Sequence, residues 1–172
     1  MKENLIQEIQ SRPRASVKCE RILVPSDGSG EAVEALNRAI DLAAVTGAHL
    51  TLLAVVDYNA EVAAFEQVSL SGYVPAELKI EAYRLLAELM HLVPPGIGAD
   101  IRVESGDAGE TIVDVAKDEN SDLVVMGTHG LGTVQSLILG SVSKYVAEQA
   151  PCPVLLTKGV PDGWEFDPET DE

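Results

Sequence analysis

Thiols are scarce in this chain: 172 residues hold two cysteines, Cys19 and Cys152. They make one pair at most, in no CxxC spacing and with no histidine pattern beside them, which excludes a disulfide-stapled scaffold and a structural zinc site. Free reduced thiols are expected, with Cys152, set in PCPV at a strand start, a small buried residue and not a reactive one. Positive charge is also scarce, 12 Lys and Arg against 28 Asp and Glu, for a formal charge of −16. Such a surface repels phosphate backbones and anionic lipid, so no direct role on nucleic acid or membrane is expected. Long apolar runs are missing as well. LTLLAVV is of strand length and far below the ~20 residues of a membrane-spanning helix, and MKENLIQEIQSRPRASVKCE lacks the apolar stretch of ~7–15 residues of a secretory signal. The expected location is the cytoplasm.

What is present is enough apolar residue, 46% of the chain, for one domain-sized core. RILVPSDGSG reads as a buried strand that breaks at proline and ends in a turn. Val33, Leu36, Ile40, Ala43 and Ala44 then recur at helical spacing until Gly47. HLTLLAVVD is a second strand, apolar on both faces and therefore central. Leu78, Ala82, Leu85, Leu89 and Leu92 share one face of a helix that PPG terminates. In ADIRVESG, Ile101 and Val103 alternate with charge, so one face of this third strand is expected to be wet and the strand to lie at a sheet edge. A helix near 110–119 with Ile112, Val115 and Ala116 inward, the strand DLVVMG, a helix over 140–150 with Val142 and Val146 inward, and PVLLT complete five strand–helix alternations. That pattern predicts an α/β fold, a single open parallel five-stranded sheet with helices on both faces. Residues 1–20 read as an N-terminal arm, 21–158 as the domain, and 159–172 as an acidic tail whose Trp164 and Phe166 sit between charges, more consistent with disorder than packing.

Chemistry concentrates in GTHGLGTVQSLILGS, residues 127–141, directly behind the fourth strand. Gly127 and Gly130 supply permissive backbone, and Gly140 and Ser141 open a helix whose free amides and dipole favour an anion. In a doubly wound sheet the ligand crevice lies beyond the carboxyl ends of the strands where the connections diverge, so SDGSG and GTHGLGT flank one crevice if their strands are neighbours. Turn-making alone also accounts for glycines of this kind; the nine-residue interval favours a ligand. No Gly-Lys-Ser/Thr follows, and GxxGxG is not the GxGxxG order, which excludes the Walker and dinucleotide modes.

GTHGLGTVQSLILGS resembles the Gly-x2-Gly-x9-Gly-Ser/Thr signature of the ATP-binding branch of the universal stress protein family, matching at Gly127, Gly130, Gly140 and Ser141. ILVPSDGSG, LTLLAVVD, DLVVMG and SVSKYVAEQAPCPVLL resemble family segments in the same order, over about residues 20–158. The resemblance implies an adenine nucleotide α-hydrolase-like sheet in the order 3-2-1-4-5 and a bound ATP with Mg2+. It implies that Asp27 and the backbone at Val55 meet adenine and ribose, that Pro25 and Ser26 shape the wall, and that the glycines meet phosphate. Met126, His129 and Val142 belong to the implied set. Asp27 equally suits a turn cap. His129 has no second ligand that would mark a metal site and reads as a loop histidine facing solvent. Lys144 reads as a solvent-facing lysine, with a role beside phosphate the lesser reading.

Three functions fit: an ATP-binding stress-response module whose nucleotide state a partner reads, a slow ATPase or phosphotransfer enzyme, and a dimeric scaffold without nucleotide. The intact glycine signature disfavours the last. The absence of paired carboxylates and of any second-substrate motif disfavours the enzyme. A homodimer is expected because VLLT is short and apolar and leaves unpaired amides if it is an edge, and the resemblance implies the same contact. At a charge of −16 the copies should associate more tightly as salt rises. Light scattering at micromolar concentration and physiological salt is expected to give the dimer mass; a monomer contradicts the expectation.

Overall fold

A computed structural model describes residues 19–56, 76–130 and 139–159. The N-terminal arm up to residue 18, the tail from residue 160, and residues 131–138 between Gly130 and Leu139 lie outside the described residues. Five strands, β1 (Arg21–Pro25), β2 (His49–Val56), β3 (Ala99–Ser105), β4 (Leu123–Gly127) and β5 (Val154–Thr157), alternate with helices α1 (Gly30–Thr46), α2 (Ala76–Met90), α3 (Ala108–Asp118) and α4 (Ser141–Gln149). All pairings are parallel, and the order is β3-β2-β1-β4-β5. Both expected edges, β3 and β5, are edges.

Alternation along each strand divides the core into two layers. Ile22, Val24, Leu50, Leu52 and Val125 pack with α1 and α2 through Leu36, Ala39, Leu86 and Leu89. On the other face Leu23, Leu53, Val124 and Met126 pack with α3 and α4 through Ile112, Val113, Ala116 and Val146. Val142, expected inward with Val146, is only half-buried and turns toward the carboxyl end of the sheet.

The buried face of α1 differs from the expected one. Ala32, Ala35, Leu36, Ala39 and Ala43 are buried, whereas Val33 and Ile40 are half-buried and Ala44 is exposed. Size explains it: methyl side chains let the helix axis approach a flat apolar sheet, and larger residues fit better at the flanks. In α2, Leu86 is fully buried, while Leu92 lies past the helix end and is exposed. On the charged face of β3, Asp100 is exposed as expected, whereas Arg102 and Glu104 are half-buried, because Arg102 folds along the surface to Glu104 (2.7 Å) and to Glu119 at the end of α3 (3.0 Å).

Ser29 caps α1 by accepting from the Ala32 amide at 3.2 Å. Gly47 ends it with φ 76°, its amide donating to the Ala43 carbonyl. Nothing lies within 4 Å of a Cβ built at Gly47. Gly47→Ala is therefore expected to cost about 1 kcal/mol through backbone strain alone, with the slope of the urea unfolding curve unchanged; a neutral substitution would show that this turn is not held left-handed.

Candidate functional site

Beyond the carboxyl ends of β1 and β4 lies a cleft of about 290 Å³. Ser26 and Asp27 continue β1 along one side, with Pro25 and Val55 behind them. Met126, Gly127, His129 and Gly130 follow β4 across it, and Gly140, Ser141 and Val142 close it at the start of α4. The eleven residues of the implied set thus line a single cleft. Leu53, Ala108 and Ile112 supply an apolar floor that sequence did not single out.

The Asp27 carboxylate accepts from the Ser29 amide at 3.0 Å and so caps the turn that leads into α1. Gly28, with φ 81°, completes that turn. Gly127, Gly130 and Gly140 are glycines for another reason: none of them is among the glycines with positive φ. A Cβ on Gly127 would sit 2.8 Å from the Glu31 Cβ and 3.2 Å from its carbonyl carbon, and one on Gly140 would sit 3.2 Å from the Thr128 carbonyl oxygen. A Cβ on Gly130 would strike the Asp27 carboxylate. Gly127 and Gly140 accommodate close approach of backbone and Gly130 the Asp27 carboxylate, and none of them a left-handed turn.

Thr128, absent from the sequence-derived set, ties the site together. It is 4% exposed. Its amide donates to the Thr157 carbonyl at 2.9 Å, and its carbonyl accepts from the Gly140 amide at 2.9 Å and the Ser143 hydroxyl at 2.7 Å. The chain that leaves at Gly130 therefore returns at Gly140 onto the residue from which it departed.

Glu31, in the first turn of α1, was likewise missed. One of its oxygens, Oε2, accepts from the Thr128 hydroxyl at 2.8 Å and from the His129 amide at 2.7 Å. Oε1 stands 3.5 Å from His129 Nδ1. His129 is not solvent-facing: its side chain is 19% exposed, with Nδ1 3.1 Å from the Thr128 hydroxyl. Because that hydroxyl proton goes to Glu31, the Thr–His pair is not set up as a nucleophile and base. Lys144 is exposed, as expected, and does not line the cleft. Among the described residues no Lys or Arg lines the cleft, and no group of three His, Cys, Asp or Glu is placed to hold a metal ion.

The start of α4 carries the site's electrostatics. Side chains cap α1 (Ser29) and α3 (Asp107), but no side chain caps α4, where Gly140 occupies the N-cap. The first-turn amides of α4 thus begin at the cleft without an internal acceptor from a capping side chain, and they carry the positive end of the helix dipole. The cysteines lie elsewhere. Both are free, and burial pushes each thiol up, with the charge of Asp122 adding to the effect, so neither is activated as a thiolate.

A sequence model of the universal stress protein family matches residues 18–158. The chain belongs to this family. Its relatives include universal stress protein MJ0531 of Methanocaldococcus jannaschii, 31% identical over 151 residues that span 81% of this chain and 82% of the relative. The hypothetical protein MJ0577, whose structure served for an assignment of biochemical function, superposes with a TM-score of 0.72 at 26% identity, over 82% of this chain and 96% of its own. A family member solved in complex with cAMP superposes with a TM-score of 0.64 at 22% identity, over 82% and 98% of the two chains, a likeness of fold. No helix among the described residues of this universal stress protein is long and apolar enough to cross a membrane.

Burial alone would raise the Glu31 carboxyl, but the hydrogen bonds from Thr128 and His129, together with the histidine's charge, outweigh it and hold the group below its ordinary value. A folded-state value below the unfolded one means that Glu31 adds stability above the ordinary carboxyl range and loses it as pH falls through its own lower value. Glu31→Gln is therefore expected to be less stable than wild type at neutral pH, with the difference shrinking as the solution is acidified. Urea unfolding of both proteins across that range checks this; a difference independent of pH contradicts it.

Proposed function

We propose that this universal stress protein is an ATP-binding regulatory module, with residues 21–158 as the nucleotide-binding unit and the occupied state read by a partner. The observation that carries the reading is the start of α4, without a side-chain cap, at a cleft where a Cβ on Gly127, Gly130 or Gly140 would crowd its neighbours. Phosphate oxygens supply the acceptors that no capping side chain gives the first-turn amides of α4. Gly127, Gly130, Gly140 and Ser141 would meet phosphate, with His129 and Val142 beside it. Asp27 and Val55 would meet ribose and adenine over the wall shaped by Pro25, Ser26 and Met126. Mg2+ would bring the positive charge that no Lys or Arg of the described wall provides. Family members of the same fold have been solved with cAMP and with dAMP, which is consistent with an adenine nucleotide as the class of ligand.

Regulation is favoured over turnover because Thr128, the hydroxyl beside the imidazole, already donates to Glu31. A second copy would meet β5, where Leu155 is 39% exposed on an unpaired edge. A cytoplasmic location suits such a module.

Gly130→Val is the decisive variant. Its Cβ would displace the Asp27 carboxylate and crowd the amides beside it, so Mg-ATP affinity should fall by about two powers of ten or more if two charge-assisted hydrogen bonds are lost. Fold stability should suffer far less. Calorimetric titration paired with melting of the ligand-free proteins checks both. Wild type that binds, together with a folded variant that binds equally well, assigns the glycine to chain packing alone; wild type that does not bind removes the ATP reading.

A further inference from the structure

Glu31 does not line the cleft, yet it meets three consecutive residues of the cleft wall. Gly127 lies against its Cβ and backbone, and Thr128 and His129 both donate to Oε2. Behind it, the Glu31 carbonyl accepts from the Thr157 hydroxyl at 3.3 Å, and the side-chain stem lies 3.3 Å from where a Cβ on Gly159 would be. A single residue thus joins the first turn of α1 to the exit of β4 through its side chain and to the end of β5 through its carbonyl.

A glutamate in a helix's first turn has an ordinary role, complementing the helix dipole, and that role requires no contact with residues 128–129. Here the carboxylate turns away from solvent toward a buried hydroxyl and a backbone amide. Charge-assisted bonds of this kind are stronger than neutral ones, and losing the acceptor would take from the His129 amide its bond to Oε2 and leave the Thr128 hydroxyl with His129 Nδ1 at 3.1 Å. The direction of the His129 amide fixes the peptide plane between Thr128 and His129, and hence the path on which the chain enters the glycine turn.

We infer that Glu31 is a positioning residue for the nucleotide: it holds the 128–129 turn so that the backbone from His129 to Gly130 faces the cleft. The inference rests on the nucleotide reading of that cleft. Its geometry needs an acceptor at Oε2 more than it needs the charge, because both bonds fall on one oxygen.

Two variants separate positioning from a dipole role. Glu31→Gln keeps an acceptor oxygen and loses the charge; Glu31→Ala loses both. Calorimetric titration with Mg-ATP, after melting curves confirm that both variants are folded, is expected to show affinity about tenfold weaker or more for alanine. Glutamine should recover most of that loss. In the ligand-free proteins, amide exchange at His129 should be about tenfold faster in the alanine variant and near wild type in the glutamine variant. Alanine binding as tightly as wild type, glutamine as weak as alanine, or His129 exchange unchanged in alanine would each overturn the inference. Wild type that binds no nucleotide would overturn the reading of the cleft instead, leaving the exchange measurement to decide whether Glu31 holds the turn.

Discussion

The cleft exists because two parallel neighbours part company. β1 and β4 pair only at Ile22–Leu123 and Leu23–Val124, whereas β1 and β2 stay in register through Pro25–Leu53. Beyond Leu23 the chain after β1 crosses to the α1 face and the chain after β4 crosses to the α4 face. Right-handed crossovers to opposite faces leave no element to fill the gap between them. Pro25 has no amide with which to extend the ladder toward β4, so the divergence begins with the covalent structure of the chain. The placement of Asp27, the glycine turn and the start of α4 around one space follows from this separation.

An open gap at the end of a sheet would be a weakness if its walls were not tied. The ties here are polar, local to a few side chains, and centred on Thr128 and Glu31. Thr128 commits its amide to β5, its carbonyl to the start of α4 and its hydroxyl to α1. The chain as a whole carries −16, and the described cleft wall has no Lys or Arg. On the proposed reading, attraction for an anion there comes chiefly from oriented peptide dipoles, which are set by backbone geometry. The polar ties matter for that reason: they set the orientation of the peptides.

Much of this was legible in the sequence. Strand and helix alternation, the two sheet edges, the stop at Gly47 and the gathering of both loops at one end all follow from apolar periodicity and the place of glycine. The signature positions from Gly127 to Ser141 are visible too, and the permissive backbone expected there is used for the missing Cβ and not for positive φ. What stayed hidden has a common cause. Glu31 meets Thr128 and His129 across 97 and 98 residues of sequence, and no spacing rule reports such a contact. His129 reads as solvent-facing because a polar residue in a loop ordinarily is; in the fold its ring lies beside Glu31 and the Thr128 hydroxyl. The face of α1 was misjudged because hydropathy rewards large side chains, whereas close packing on a sheet rewards small ones.

The alanine face of α1 bears on how this molecule can move. Leucine-rich contacts absorb a displacement by changing rotamers, but a methyl group has no rotamers to change. Ala32, Ala35, Ala39 and Ala43 therefore fix the distance between α1 and the sheet to a single value, with Leu36 between them fully enclosed. Any rearrangement at the mouth of the cleft has to be taken up by α4 or by the strand edge and not by α1. The helix acts as a fixed datum against which those parts shift.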